Sequence, residues 1–288
     1  MSSEHRNSIY FYNGKYLSRE KIKLSCSDLG FIRGFGLYEA LRTYCGVPFL
    51  LEDHLTRFFK GVKKVGMKSP LDQRAISKVI ENLIRKNGLE NALIRMVLTG
   101  GPASSLLADG KPTFLIMVSL FQPYASWKYK KGVALMTTPF ARIYPEIKST
   151  VYFGAVVATM KAVHHGFSEA VYIDENGALI EGTTFNVFAV LPGPRLVTPY
   201  EGALAGITRG CTLQLAKKLK IPIQYGLISR EVLHKAKELF ITSSTRELMP
   251  VVRVDRHQIG KGQPGEVTYQ LSVAYRAVVK AYTLKNQA

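Results

Sequence analysis

The stretch PEIKSTVYFGAVVATM, residues 145–160, sets a single lysine at the mouth of an uncharged run. Lys148 follows Pro145, Glu146 and Ile147, and no further charge comes until Lys161. Residues 153 to 165 read as a helix, so Lys148 stands at the end of the extended chain that precedes it. One reading is a strand-end lysine whose stem covers apolar surface while its ammonium reaches water. The other is an amine with a lowered pKa that forms a Schiff base with a carbonyl. Pyridoxal phosphate is the commonest such carbonyl. It asks a protein for a lysine, an acid facing the ring nitrogen, and donors for a phosphate.

The bulk composition bounds the answer. A chain of 288 residues makes one large domain or two smaller ones and buries a core easily. Hydrophobic residues at 47% and charged residues at 21% are globular values, which excludes long disorder. Lys and Arg number 39 against 21 Asp and Glu, a net charge of 39 − 21 = +18. That balance favours anionic partners: nucleic acid, an anionic membrane surface, or small molecules bearing phosphate or carboxylate. The basic residues are spread out, and the densest cluster, Lys128 to Lys131, is too short for a nucleic-acid arm. A basic nucleic-acid-binding protein is therefore the minor reading. Cys26, Cys45 and Cys211 are far apart and show no CxxC spacing, so neither a disulfide framework nor a metal site is expected. The N-terminus lacks an apolar signal core. Runs such as 113–121 fall far below the roughly 20 residues that span a bilayer. The expectation is a cytoplasmic protein with no membrane partner.

The pattern is mixed α and β. SIYFYNGKYL alternates around Asn13-Gly14, a hairpin signal. Helices are expected at 54–67 and 72–87, the latter capped by Asp72 and stopped by Gly88. Strands follow at 92–99 and 113–121. The segment 122–131, QPYASWKYKK, reads as an interdomain linker. Beyond it strands are expected at 133–137, 170–173, 186–190, 238–241 and 251–254, with helices at 153–165, 207–219 and 266–282. The second of these helices carries Ile207, Cys211, Leu215 and Leu219 in one row. The organisation is then a small α+β domain over 1–121, the linker, and a larger strand-rich α/β domain over 132–288.

The other two demands have candidates. Glu181, in ALIEGTTFNVFAV, is the only charge between Glu175 and Arg195. It is either a turn-edge carboxylate in water or the acid that keeps a pyridine nitrogen protonated. Gly182 after it would let backbone approach a flat ring. EGALAGITRG, 201–210, leads into a helix whose start offers backbone N–H groups, the Thr208 hydroxyl and the dipole; simple capping is the alternative. ITSSTREL, 241–248, supplies hydroxyls, Ser243 and Ser244 among them. Arg57 is a third possible donor, but helical phase sets it beside Lys60, Gly61 and Lys64, a solvated position.

Taken in order, SDLGFIRGFGLYEALRTY, HLTRFF, IKSTVYFG, LIEGTTFNVFAV, GITRG and ITSSTRELMPV resemble the class IV (fold type IV) pyridoxal-phosphate aminotransferases. That family includes branched-chain aminotransferase, D-amino-acid transaminase and aminodeoxychorismate lyase. The resemblance runs from about Ser27 to Tyr269. It implies a small α/β domain joined to a larger β-barrel-like domain, and a homodimer. It implies Lys148 as the residue that carries the cofactor and moves the proton, and Glu181 facing the ring nitrogen. Arg57, Ile207, Thr208, Ser243 and Ser244 would hold the phosphate, with Tyr152 close to the cofactor's phenolic oxygen. Tyr38 would line the substrate pocket, and Thr245 would offer a backbone donor to the substrate carboxylate.

Departures from the family pattern bear on the substrate. Branched-chain enzymes usually carry EGxGEN where this chain has Glu181-Gly-Thr-Thr-Phe-Asn186, so Thr184 and Phe185 narrow that side of the pocket. The Thr-Thr pair is closer to D-amino-acid transaminases, yet the loop Thr99-Gly-Gly-Pro-Ala-Ser lacks their arginine and histidine. The lyase pattern has asparagine where Val151 stands. Arg33 or Arg95 is expected to bind a substrate carboxylate, with a salt bridge inside the small domain as the alternative for Arg95. The resulting expectation is transamination of an aliphatic amino acid with a 2-oxo acid, branched-chain L-amino acids first, D-amino acids second, the lyase third.

Overall fold

The computed structural model describes residues 8–108, 110–140 and 142–287. The chain divides into two compact units. The first takes the chain up to Gln122, the short segment Ile147–Val151 and the C-terminal end from Ala281. The second holds Pro123–Glu146 and Tyr152–Lys280.

In the first unit the order is β1 (Ile9–Tyr12), β2 (Lys15–Ser18), α1 (Leu29–Arg33), β3 (Gly36–Tyr44), β4 (Val47–Pro48), α2 (Leu51–Lys64), α3 (Gln73–Asn87), β5 (Ala92–Thr99) and β6 (Thr113–Leu120). The strands form one antiparallel sheet in the order β2-β1-β6-β5-β3-β4. Alternation decides its faces: Leu37, Leu41, Ile94, Met96, Leu98, Phe114 and Ile116 turn inward and pack with Leu55, Phe58, Ile76, Ile80 and Leu83. In α3, Asp72 accepts from the Ala75 N–H at 2.7 Å, and Gly88 ends the helix at φ +61°.

Three expectations need correction here. The sequence reading assigns no element to residues 36–44, yet β3 forms there, beginning at Gly36. Helix α2 starts at Leu51 and ends at Lys64 rather than spanning 54–67, because Leu50 adopts a left-handed conformation that begins the turn. The segment Ile147–Val151 packs with the first unit, not with 132–288. Its backbone runs along the free edge of β3: Tyr38 N–H donates to Lys148 O at 2.9 Å, and Thr150 N–H donates to Gly36 O at 2.9 Å.

The second unit contains α4 (Ser126–Lys131), β7 (Val133–Pro139), α5 (Phe153–His164), β8 (Glu169–Ile173), β9 (Leu179–Gly182), β10 (Asn186–Leu191), β11 (Arg195–Thr198), α6 (Ile207–Lys218), β12 (Ile223–Tyr225), α7 (Arg230–Lys235), β13 (Glu238–Ser243), β14 (Glu247–Val254), β15 (His257–Gln258) and α8, which runs Glu266–Asn286. The stretch 122–131 is therefore not a bare linker, since α4 occupies most of it. Strands β10-β13-β14-β7-β8-β9 follow one another, and β9 pairs again with β10 through Glu181 and Asn186. The six close into a ring, a barrel-like sheet extended by β11 and β12. Closure buries β10 on both faces, which is why NVFAVL shows no polar alternation after Asn186. In α6 the buried face is Thr208, Arg209, Thr212, Leu213, Leu215 and Ala216, whereas Leu219 is exposed. The Ile207–Cys211–Leu215–Leu219 row is thus not the packed face. No helix among the described residues is long and apolar enough to cross a membrane.

Asp72→Ala removes the α3 cap without touching the sheet. Stability should fall by about 1 kcal/mol, read from denaturant unfolding. An unchanged midpoint would mean the Asp72–Ala75 bond contributes nothing.

Candidate active site

Neighbouring residues of β3 face opposite ways. Tyr38 faces out, and Lys148 Nζ, brought alongside by the edge pairing, donates to its hydroxyl oxygen at 2.8 Å. Glu39 faces in and is fully buried. Its Oε2 accepts from Arg57 Nε at 3.0 Å and its Oε1 from Arg57 Nη2 at 2.6 Å. His54 Nδ1 lies 3.1 Å from the same Oε1. Arg57 is thereby held side-on in a fixed plane, the geometry a guanidinium favours with a carboxylate. The reading of Arg57 as solvated fails because α2 turns His54, Phe58 and Gly61 inward, and Arg57 flanks that face.

Burial works against the Glu39 charge, but Arg57 and His54 outweigh it and hold the carboxyl well below the usual range. Burial lowers the His54 pKa, partly offset by Glu39, so the imidazole stays neutral and donates.

Arg95 is exposed on β5, on the open face of the sheet. It pairs with Ala40, and Tyr38 pairs with Val97, so Arg95 lies one step diagonally from Tyr38. No ion pair of Arg95 occurs among the described residues, so the intradomain salt bridge is not formed. Arg33 is exposed at the end of α1, and its Nη1 donates to Ile32 O at 2.9 Å. No bond among the described residues ties it to Tyr38.

In the second unit the ring closure brings the remaining candidates together. Glu181 pairs with Asn186, and Asn186 pairs with Thr242, one residue before Ser243. Glu181 is buried. Its Oε1 accepts from Arg142 Nε at 2.6 Å and its Oε2 from the Leu204 N–H at 3.0 Å. Asn186 Nδ2 donates to Leu204 O at 2.8 Å. The loop before α6 is thus pinned from both sides to the strand ends. Gly206 caps α6, and a Cβ there would lie 2.0 Å from Asn186 Oδ1, so only glycine permits this approach. Ile207 and the buried Thr208 open the helix, and no side chain caps it. Simple capping by Thr208 is therefore not its role. The reason for Gly182 also changes: a Cβ there would meet the Phe185 ring at 2.0 Å, so the chain's own aromatic takes the space.

Tyr152 precedes α5, and the Arg142 guanidinium lies 5.2 Å from its ring centre. Burial disfavours the Arg142 charge, but Glu181 outweighs this and raises its pKa. Thr184 is exposed; Ser243 ends β13, and Ser244, Thr245 and Arg246 form the turn to β14. Thr245 Oγ1 lies 3.4 Å from Ser243 Oγ. No group of three metal-ligating side chains occurs among the described residues.

Sequence reasoning missed Glu39, His54, Arg142 and Arg246. Glu39 had a signal: it stands at an inward position of an alternating strand, flanked by Leu37 and Leu41. Arg142 had none, since its partner Glu181 is distant in sequence.

Both Glu39 and His54 titrate below their unfolded values of 4.5 and 6.5. A depressed pKa means the fold favours the deprotonated form, so its contribution is present above the unfolded value and lost below it. Stability should decline as pH falls past 6.5, through His54, and again below 4.5, through Glu39. A denaturant series from neutral pH downward, repeated with His54→Gln, checks this; a flat profile through both ranges contradicts it.

Residues 36–254 match the model of the amino-transferase class IV family. A protein of Methanocaldococcus jannaschii named "Putative branched-chain-amino-acid aminotransferase" is 31% identical over 96% of this chain and 98% of its own. A D-alanine aminotransferase of Staphylococcus epidermidis is 28% identical over 95% and 99%. Among solved structures, a T.th. branched-chain amino acid aminotransferase with pyridoxamine 5'-phosphate superposes with a TM-score of 0.89 at 27% identity, covering 96% of this chain and 95% of that one.

Proposed function

This chain belongs to the amino-transferase class IV family, and on that premise we propose that it transaminates branched-chain L-amino acids with a 2-oxo acid as acceptor, using pyridoxal phosphate. The residues present fit that cofactor. Lys148 offers an amine beside a phenol, Glu181 a buried carboxylate, and Arg57 a guanidinium fixed in plane. The start of α6 offers backbone donors that no side chain caps. Pyridoxal phosphate, when bound, would supply an electron sink for the charge that develops at the substrate Cα.

The chain's own groups divide the remaining work. Lys148 Nζ holds and moves the proton, with the Tyr38 hydroxyl at hydrogen-bond distance fixing its direction. Glu181, held by Arg142 and the Leu204 N–H, is the carboxylate that would face the ring nitrogen. Arg142 places a positive charge beside it. Arg57 and the N–H groups at the start of α6 are each suited to a phosphate.

The observation that carries the substrate reading is Arg95. It is a cation without an ion pair among the described residues, on an open face with Ala40, Leu93 and Val97, diagonal to Tyr38. Its charge suits the distal carboxylate of a dicarboxylic 2-oxo acid acceptor, and its apolar neighbours suit an aliphatic side chain. The Thr183–Thr184 pair supports the second reading, D-amino acids, as does similarity to a D-alanine aminotransferase.

A second copy of the chain is the proposed partner. Helix α5 buries Ala155, Ala158 and Ala162 and turns Phe153, Val156, Val157, Met160 and Val163 outward, each 49% to 83% exposed. That inverted arrangement leaves one continuous apolar strip along the helix, of the kind that marks an association surface.

The purified holoenzyme should show a visible absorption band that Lys148→Ala abolishes. L-leucine should bleach it and D-alanine should not. Bleaching by D-alanine alone transfers the assignment to D-amino acids, and a protein that takes up no pyridoxal phosphate sinks the cofactor assignment. Met160→Glu should shift sedimentation from dimer to monomer; an unchanged dimer would place the contact elsewhere.

A further inference from the structure

Arg246 lies at the centre of a cluster that the roles above leave unused. Its side chain is buried, yet it bonds to three separate segments. Nη2 pairs with Glu169 Oε1 at the start of β8. Nη1 donates to Thr184 Oγ1 at 2.9 Å, in the β9–β10 turn, and to Ser243 Oγ at 3.3 Å, at the end of β13. The guanidinium also lies 5.1 Å from the Tyr124 ring centre and 5.7 Å from that of Phe185. Its own carbonyl accepts from the Tyr129 hydroxyl at 3.0 Å. Nε is buried without a partner among the described residues.

The direction of these bonds has a chemical consequence. A hydroxyl has one proton and two acceptor positions. Arg246 has no acceptor on its side chain, so both hydroxyls must accept from it. Ser243 Oγ accepts a second time, from the Arg246 backbone N–H at 3.2 Å. The protons of Thr184 and Ser243 therefore point away from the cation. Ser243 Oγ, with both acceptor positions filled, gives its proton to Thr245 Oγ1 at 3.4 Å, so the Thr184 hydroxyl is the donor left with a positive charge behind it. That arrangement suits an anion, and the substrates of a transaminase are carboxylates.

We propose that Arg246 is a positioning residue that sets the hydroxyl of Thr184 as a donor to a carboxylate of the substrate. The proposal rests on the class IV reading above and names the side of the site that receives the acid. Arg246 need not touch the substrate, since Glu169 balances its charge and Thr184, which is exposed, meets the ligand.

The test uses holoenzyme and an unreactive aliphatic carboxylate, 4-methylvalerate. Its Kd is measured by calorimetry beside KM and kcat for the amino acid. Thr184→Val leaves the Arg246–Glu169 pair intact and removes one donor. It should raise Kd and KM about tenfold or more, the loss of a hydrogen bond to a charged group, with less effect on kcat. Arg246→Gln should do the same, Arg246→Lys should restore part of the loss, and the double variant Thr184→Val/Arg246→Gln should be no worse than the poorer single one. Kd and KM unchanged in Thr184→Val, with the cofactor band and turnover present, overturn the proposal. So does an Arg246→Gln protein that loses thermal stability but keeps its carboxylate affinity. A wild-type protein with no cofactor band overturns the class IV reading, and this proposal with it.

Discussion

The pairing of Glu181 with Asn186 is the constraint on which the second unit depends. It closes six strands into a ring, and at the same point it fixes a buried carboxylate. Closure alone would leave Glu181 as a charge taken out of water, a cost of several kcal/mol. Arg142 and the Leu204 N–H answer that cost, and Asn186 holds the carbonyl of the same Leu204. One short backbone segment is thus anchored to the strand that closes the barrel and to the acid beside it. The helix that follows inherits its position from those bonds. The acid and the start of α6 are not two independent features but two ends of one hydrogen-bonded unit.

The first unit solves a similar problem differently. Glu39 is buried in a sheet otherwise lined by Leu, Ile, Met and Phe. Its four hydrogen-bonding contacts, from Arg57 twice, His54 and the Ala40 N–H, leave little of the carboxylate unsatisfied. Removing one partner from such a cluster costs about 3–5 kcal/mol, so the cluster fixes β3 and α2 against each other. Tyr38, one residue earlier on the opposite face, gains its orientation from the same strand.

Periodicity makes α3, β5 and β6 legible because each is governed by its own residues: a cap, a stripe, a run of alternation. The site is less legible wherever a residue's role comes from a partner distant in sequence. Arg57 looks solvated because its phase on α2 matches Lys60 and Lys64, and only the inward Glu39 of another element draws it in. The α6 row misleads because Thr208 and Thr212, polar by type, are what the fold buries. Gly182 is a close-approach position, as its place after Glu181 suggests, but the ring approaching it is Phe185. Lys148 and Glu181 stand out because each is a lone charge in an uncharged stretch. Arg142 and Arg246 stand among other charges and carry no such mark.

The short segment Ile147–Val151 has a consequence for how the protein is made. During synthesis every strand of the first unit's sheet is translated before residue 147 exists. Until then the edge of β3 at Gly36–Tyr38 carries backbone groups with no strand beside them, an opening to pairing with other nascent chains. The segment arrives only after β7 has been translated, and the chain then leaves again for α5. Completion of the first unit is therefore a late event, awaiting first this segment and then the chain's end from Ala281. A truncated product ending near Gln122 would have most of a core but neither its last edge nor Lys148.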